Sequence, residues 1–207
     1  AGFAKGPSYG AEYWVKLNAA PTGFHNIFGD GEAGGDFFMM NYLTGSSRIR
    51  PHFSNNTPVS TDSNATLQLN LPYHVVTTYD NSAGTANIYI NGTLDKSIAV
   101  TTNAPTNTNK QVFIGDDNRE SGGNLNLQDI ALYSSPLSAA DVRSHRAIGY
   151  VGNDVPTTVR QFWNFDEASS GSDAAAPLFG TDNIGAFTGS ATRTTGLVGI
   201  GAAEFNN

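Results

Sequence analysis

The sequence predicts an all-β protein: a two-sheet antiparallel β-sandwich with one short helix. Three observations predict it. Apolar and β-branched residues alternate with period two through run after run, as they do in strands that turn one face to a core. Turn residues punctuate those runs, among them Pro21, DNSAG at 80–84 and Asn91-Gly92, and Asn-Gly supplies the two positive-φ positions of a tight hairpin. A single stretch, SPLSAADVRSHRAIG at 135–149, carries helix signals.

The strands follow in order. AEYWVKLN (11–18) stops ahead of Pro21, and FFMMNYL (37–43) is the nearly continuous apolar run of a strand covered on both sides. RIRPHFS (48–54) carries Pro51, which cannot donate to a ladder and so predicts an edge or bulged strand. ATLQLN (65–70) alternates cleanly, and YHVVTTYD, TANIYING and DKSIAV form a meander through the two turns named above. QVFIGDDN (111–118) and LNLQDIALYSS (125–135) complete a first series. In the helix, Ser138 is a good N-cap, Asp141 stands three residues on and Gly149 offers an end. GNDVPTTV (152–159) links it to a further strand, RQFWNFDEA (160–168), after which Gly, Ala, Ser and Thr dominate. An up-and-down barrel is the alternative closure of so many short strands.

Composition narrows the function classes. A chain of 207 residues buries about 70% of its unfolded surface, enough for a core without metal or disulfide. The absence of cysteine excludes thiol chemistry and Cys-based zinc sites. With a net charge of −7 and 14% charged residues, the chain lacks the basic face of a nucleic-acid binder and any attraction to anionic lipid. No run approaches the ~20 apolar residues of a membrane span. Thr, Asn, Ser and Gly prevail over Lys and Glu, which points to an extracellular, cell-surface or virion setting.

Four segments carry a resemblance to a known family. YHVVTTYDNSAGTANIYINGTL resembles the W-H-h-v-A-x-t-Y-d…l-Y-v-N-G hairpin of laminin G-like, concanavalin A-like jelly-roll domains, with Tyr73 in the usual Trp position. FIGDDNRESGGNLNLQDIALYSSPLSAADVRSH is similar to the closing strand and helix, where Asp129, Tyr133, Leu137 and Ser138 fall on the pattern. AEYWVKLN resembles f-t-i-s-a-W-v-K, with Trp14 and Lys16 in register. The fourth piece, from QFWNFDEASSGSD to AAEFNN, looks like the first segment of the family, through Trp163, Phe165, Asp166, Glu167, Asp173, Gly185, Gly199 and Phe205. Here it follows the helix instead of preceding the Trp14 strand. Three arrangements stay open. Residues 160–207 complete a single sandwich over 1–207 in permuted order, or begin a following domain, or complete a neighbouring copy by strand exchange. Length and the liability of open strand edges favour the first.

Catalytic patterns are weak. Glycoside hydrolysis needs two carboxyls about 5–9 Å apart on one face. The acidic clusters Asp30/Glu32, Asp116-Asp117, Glu120 and Asp166-Glu167 lack that arrangement within an alternating strand, and adjacent Asp166 and Glu167 would point to opposite faces. His25, His52, His74 and His145 are scattered, no G-x-S-x-G elbow is present, and GDGEAGG (29–35) lacks the P-loop lysine. His74, on a family strand position, reads as structural. The resemblance implies a calcium site on the rim, at Asp129 and Asp173, although AAAPLFGTDN after Asp173 moves Asp182 and Asn183 off the expected offset. A sugar-binding face would draw on Tyr9, Phe24, Tyr42, Tyr150 or Phe179, whereas Trp14 and Trp163 read as core. Asn55, Asn64 and Asn91 head N-x-T triplets, potential glycan acceptors if the source glycosylates. The expected function is a non-catalytic recognition or adhesion module with a glycan or protein partner, and the alternative a purely structural capsid, tail-fibre or filament module. Neither nucleic acid nor membrane insertion is expected.

Overall fold

A computed structural model describes residues 8–31, 37–53, 59–100, 112–115, 123–148, 159–163, 186–188, 190–194 and 202–206. The first strand, β1 (Tyr9–Leu17), shows why the chain folds as it does. Its odd positions, Tyr9, Ala11, Tyr13, Val15 and Leu17, all enter the inter-sheet core. Its even positions face the other way, and Glu12 and Trp14 there are buried as well. Thus β1 is central and covered on both sides.

The remaining elements are β2 (His25–Gly31), β3 (Phe37–Leu43), β4 (Ile49–Phe53), β5 (Val59–Ser60), β6 (Pro72–Asp80), β7 (Thr85–Ile90), β8 (Thr93–Ala99), β9 (Val112–Gly115), β10 (Leu125–Tyr133), α1 (Ala139–Ile148), β11 (Val159–Trp163), β12 (Ala186–Thr188), β13 (Ser190–Thr194) and β14 (Ala202–Asn206). One sheet runs β13-β14-β10-β1-β6-β7-β8, with β11 also on β10, and the other runs β12-β9-β2-β3-β4-β5. All pairs are antiparallel except β12 on β9. The predicted two-sheet sandwich with one helix is what folds.

Between the sheets, Tyr9 stacks on Tyr79 at 5.1 Å, and Phe53 reaches across from the second sheet to within 6.2 Å and 5.8 Å of those rings. Tyr13 meets Phe28 edge-on. Tyr9 is therefore a core residue, fully buried and closed to any sugar.

One sequence expectation changes. ATLQLN is not a strand. Leu67 plugs the core, its N–H bonds the Ser47 carbonyl, and Leu69 makes only an isolated bridge to Leu17. Asp95 captures the Asn64 and Ala65 N–H groups, so this backbone is satisfied without a ladder. Pro51, as expected, sits where β4 has a strand on one side only. β3 takes one side of β4, but β5 opposes only His52 and Phe53, so the missing N–H of Pro51 costs no bond.

At the predicted tight turn, Asn91 and Gly92 have φ of 52° and 82°. The Asn91 side chain accepts the His74 N–H at 3.0 Å. A Cβ on Gly92 would come within 3.3 Å of Arg146 on α1. Gly92→Val is expected to cost about 1–3 kcal/mol, from backbone strain together with displacement of that arginine, read as a lower urea midpoint at unchanged slope.

The tail strands return to the main sheets. β11 pairs with residues 130–133 of β10 and β14 with residues 125–127. Between those two pairings β10 bulges at Asp129, whose φ is 52° and whose side chain is buried.

Candidate functional site

Four side chains with acid–base chemistry converge on the outer face of the first sheet. Glu12 comes from β1, His74 from β6, Tyr133 from β10 and His145 from α1. Strand register explains the first three. Glu12 lies opposite Val76 and Ala131, so His74 and Tyr133 are its diagonal neighbours on the same face. His74 Nε2 stands 2.5 Å from Glu12 Oε1, Tyr133 donates its hydroxyl to Oε2, and His145 Nδ1 lies 3.0 Å from the same oxygen. The helix is placed to complete the set. Ser138 and Asp141 form a reciprocal cap, with Ser138 Oγ 2.6 Å from Asp141 Oδ2 and the Asp141 N–H reaching back to Ser138 Oγ. Val142 then packs with Leu137 against Val76, Tyr89, Ala131 and Tyr133, and His145 follows one turn later.

Burial alone would push the Glu12 carboxyl up. Hydrogen bonds from His145 and His74, together with their charge, outweigh it and hold the group down at about 2. Burial would likewise depress His145, but the bond and charge of Glu12 and the charge of Asp141 raise it. A carboxylate, two imidazoles and a phenol make a capable acid–base roster. Here, however, Glu12 and His74 are 0% exposed, so no substrate reaches them. The cluster fastens α1 to the sheet. His74, read from sequence as structural, lies sealed within it.

The charge states set a pH dependence. Glu12, depressed below its ordinary 4.5, contributes stability above that value and loses it as pH falls toward 2. His145, raised above 6.5, contributes fully below 6.5 and loses it as pH climbs through its folded pKa. His52 opposes this on the acid side. Burial, aided by the Arg50 charge, lowers it to about 4, so the folded state is penalised as pH drops from 6.5 toward 4. Stability of the whole chain should peak near pH 6.5. The margin of the wild type over His145→Gln should shrink as pH rises above that point, measured by urea titrations across the range.

The other residues named from sequence are dispersed. Asp129 lies in the β10 bulge, where the Gln128 amide bonds its Oδ2 at 3.3 Å. Asp173, Asp116, Asp117, Glu120, Glu32, Asp166, Glu167, Tyr150, Phe179 and Asn55 lie outside the described residues. Tyr42 pairs within β3 and Asp30 within β2. Trp14 is buried, not between the sheets but on their outer side, 5.2 Å from His74 with Arg146 over its ring. His25 is buried as well. Asn64 and Asn91 are exposed, although the Asn64 amide already bonds the Asp95 carbonyl at 2.6 Å. Among the described residues no group of three or more His, Asp or Glu side chains is arranged to hold a metal ion, and no helix is long and apolar enough to cross a membrane.

Sequence reasoning missed Glu12 and His145 as a pair. An acidic residue at an inner strand position beside Tyr13-Trp14 was the available signal, because a charge there must find a partner. Phe24, named from sequence as a possible sugar contact, stays 41% exposed; the sequence did not reveal its partners, the Arg50 guanidinium over its ring at 4.7 Å and Asp62, which Arg50 Nε bonds at 2.5 Å. Arg50 lies on β4, Phe24 just ahead of β2 and Asp62 just after β5.

Comparison with known proteins bears on this geometry. A search of curated proteins finds no match. Among solved structures, a candidate carbohydrate-binding protein from Bacteroides ovatus superposes with a TM-score of 0.63 at 14% identity, over 97% of this chain and 52% of its own. A SAP-like pentraxin from Limulus polyphemus gives 0.56 at 13% identity, over 70% of this chain and 72% of that one. Trypanosoma rangeli sialidase gives 0.52 at 19% identity; the match takes in 71% of this chain and only 24% of the sialidase. These likenesses speak to the fold. The model of the concanavalin A-like lectin/glucanases superfamily matches residues 3–143, from β1 into α1 and so over most of the sequence: the chain belongs to that superfamily.

Proposed function

We propose that this chain is a non-catalytic glycan-recognition module acting outside the cell, on a cell surface or on a virion. One observation carries the reading. The acid–base constellation among the described residues is shut beneath α1, while the Bacteroides ovatus protein that matches nearly the whole chain is described as a candidate carbohydrate binder. A glycan array tests it. Binding of any glycan at millimolar strength or tighter supports the reading, and silence across the array favours a structural module with protein contacts only. Reducing-sugar release from a polysaccharide would overturn the non-catalytic part.

Three further parts belong to the proposal. Residues 1–207 form a single sandwich in which 160–207 supply the segment that comes first elsewhere in the family; the pairing of β11 and β14 with β10 supports this. Those same pairings could pass between copies, and a concentration-dependent dimer in light scattering would reveal exchange. Finally, the proposal includes a calcium ion held by Asp129 and Asp173, as the family resemblance implies. Asp129 offers one buried carboxylate of the six to eight oxygens such an ion takes. An unchanged melting temperature after EDTA treatment of protein first loaded with calcium would remove the ion from the proposal.

A further inference from the structure

One flank of α1 carries two arginines without a counter-ion. Arg143 and Arg146 stand three residues apart and so are neighbours on the helix surface. Both meet the Asn91–Gly92 turn: a Cβ on Gly92 would come within 3.3 Å of Cβ and Cγ of Arg146 and 3.7 Å of Cα of Arg143. Arg146 is held in place. Its guanidinium covers the Trp14 ring at 4.9 Å and its Nε is shut in without a hydrogen-bond partner, while the residue as a whole stays partly open. Arg143 is exposed, close enough to Tyr89 for its charge to act on that phenol. On the turn, the exposed Asn91 accepts the His74 N–H through Oδ1, which leaves its Nδ2 unbonded among the described residues. The carboxylates of the adjoining elements are engaged elsewhere. Asp141 bonds Ser138, Asp95 of β8 takes the N–H groups of Asn64 and Ala65, and Glu12 is sealed beneath the helix. Among the described residues no acidic side chain pairs with either arginine, in a chain whose net charge is −7.

We infer that Arg143 and Arg146, together with the Asn91 amide, bind the carboxylate or sulfate group of an acidic glycan. It rests on the glycan reading above and gives that reading an address and a charge. A guanidinium presents paired N–H donors in one plane, which match two oxygens of a carboxylate or sulfate. Two such groups side by side can hold one oxyanion between them, and the Asn91 Nδ2 adds a neutral donor. Stacking on Trp14 fixes the Arg146 plane before a ligand arrives, so little side-chain freedom is lost on binding. The ligand lies on the surface, across the helix flank and the turn, and the sealed Glu12 cluster need not open. The overall negative charge repels a dense polyanion such as nucleic acid at long range and favours a ligand whose charges are sparse.

Isothermal titration of the full chain with trigalacturonate, 3′-sialyllactose and 3′-sulfolactose, and with lactose and cellohexaose as neutral probes, tests the inference. At least one acidic probe should bind more tightly than either neutral one, and added NaCl should weaken it. The sialyl and sulfo forms of lactose tell a carboxylate from a sulfate ligand. Arg143→Gln and Arg146→Gln should each lower the affinity about tenfold or more, the loss expected for a hydrogen bond to a charged group. Arg50→Gln, which removes the same charge on the second sheet, should leave binding unchanged. Should Arg146→Gln fail to fold without its contact to Trp14, Arg143→Gln and Arg143→Glu decide, at an exposed position. If the wild type binds an acidic probe and these variants bind it equally well, the site lies elsewhere and only the inference falls. Preference for a neutral probe would overturn the acidic class and leave the glycan reading standing. Acidic glycans unbound both here and on the array would overturn the inference, and silence of the whole array would take the glycan reading down with it.

Discussion

Glu12→Ala is expected to destabilise the protein by about 3–5 kcal/mol, the range for removing one partner of a buried ion pair. The reason is the number of groups that share this carboxylate. His74, Tyr133 and His145 all bond to it, and each would be left inside a closed space with an unmatched polar atom. At this chain length the melting temperature should drop by roughly 6–20 °C. Glu12→Gln separates charge from shape. It keeps the volume and removes the charge that raises His145, so the loss of stability above pH 6.5 should flatten in that variant. A Glu12→Ala protein that melts within a degree of wild type would show that the cluster fastens nothing. Loosening of α1 should be the local sign, read as faster hydrogen exchange over Ala139–Ile148 with the sheets still protected.

Phe53→Ala should cost a comparable amount, about 3–5 kcal/mol, through a different mechanism. Phe53 is fully buried and meets both Tyr9 and Tyr79 across the gap between the sheets. Truncation leaves a hole beside two stacked phenol rings, and a strand-bound core cannot collapse to fill it. Phe24→Ala provides the contrast. That ring is exposed, and its removal should shift stability by no more than about 0.5 kcal/mol. Equal losses from the two variants in urea titrations would contradict the assignment of one ring to the core and the other to the surface.

Much of the fold was legible because period-two alternation reports the core directly. Tyr9, Ala11, Tyr13, Val15 and Leu17 are one face of a strand in the sequence and one face of a core in the structure. The Asn91-Gly92 turn and the Ser138/Asp141 cap were equally readable, since both depend on residues within a few positions of each other. ATLQLN misled for a physical reason. Alternation records where Leu67 goes, but the bonds from Asp95 and Ser47 that take its backbone out of a ladder come from distant segments. The candidate sites were harder still. The Glu12 cluster draws on residues from 12 to 145, and Arg143 and Arg146 meet the distant Asn91–Gly92 turn, so neither leaves a compact motif. The sequence placed Phe24 among the possible sugar contacts and also placed Tyr9 there. Only the register separates the exposed ring from the buried one.

The way β10 is closed bears on how the protein is made. Its inner side is taken by β1 and its outer side by β11 and β14, which a ribosome delivers after it. Throughout translation of the intervening stretch the nascent sheet shows a bare flank with unpaired amides and carbonyls. Vectorial synthesis thus leaves that flank open until β14 has emerged to pair with it.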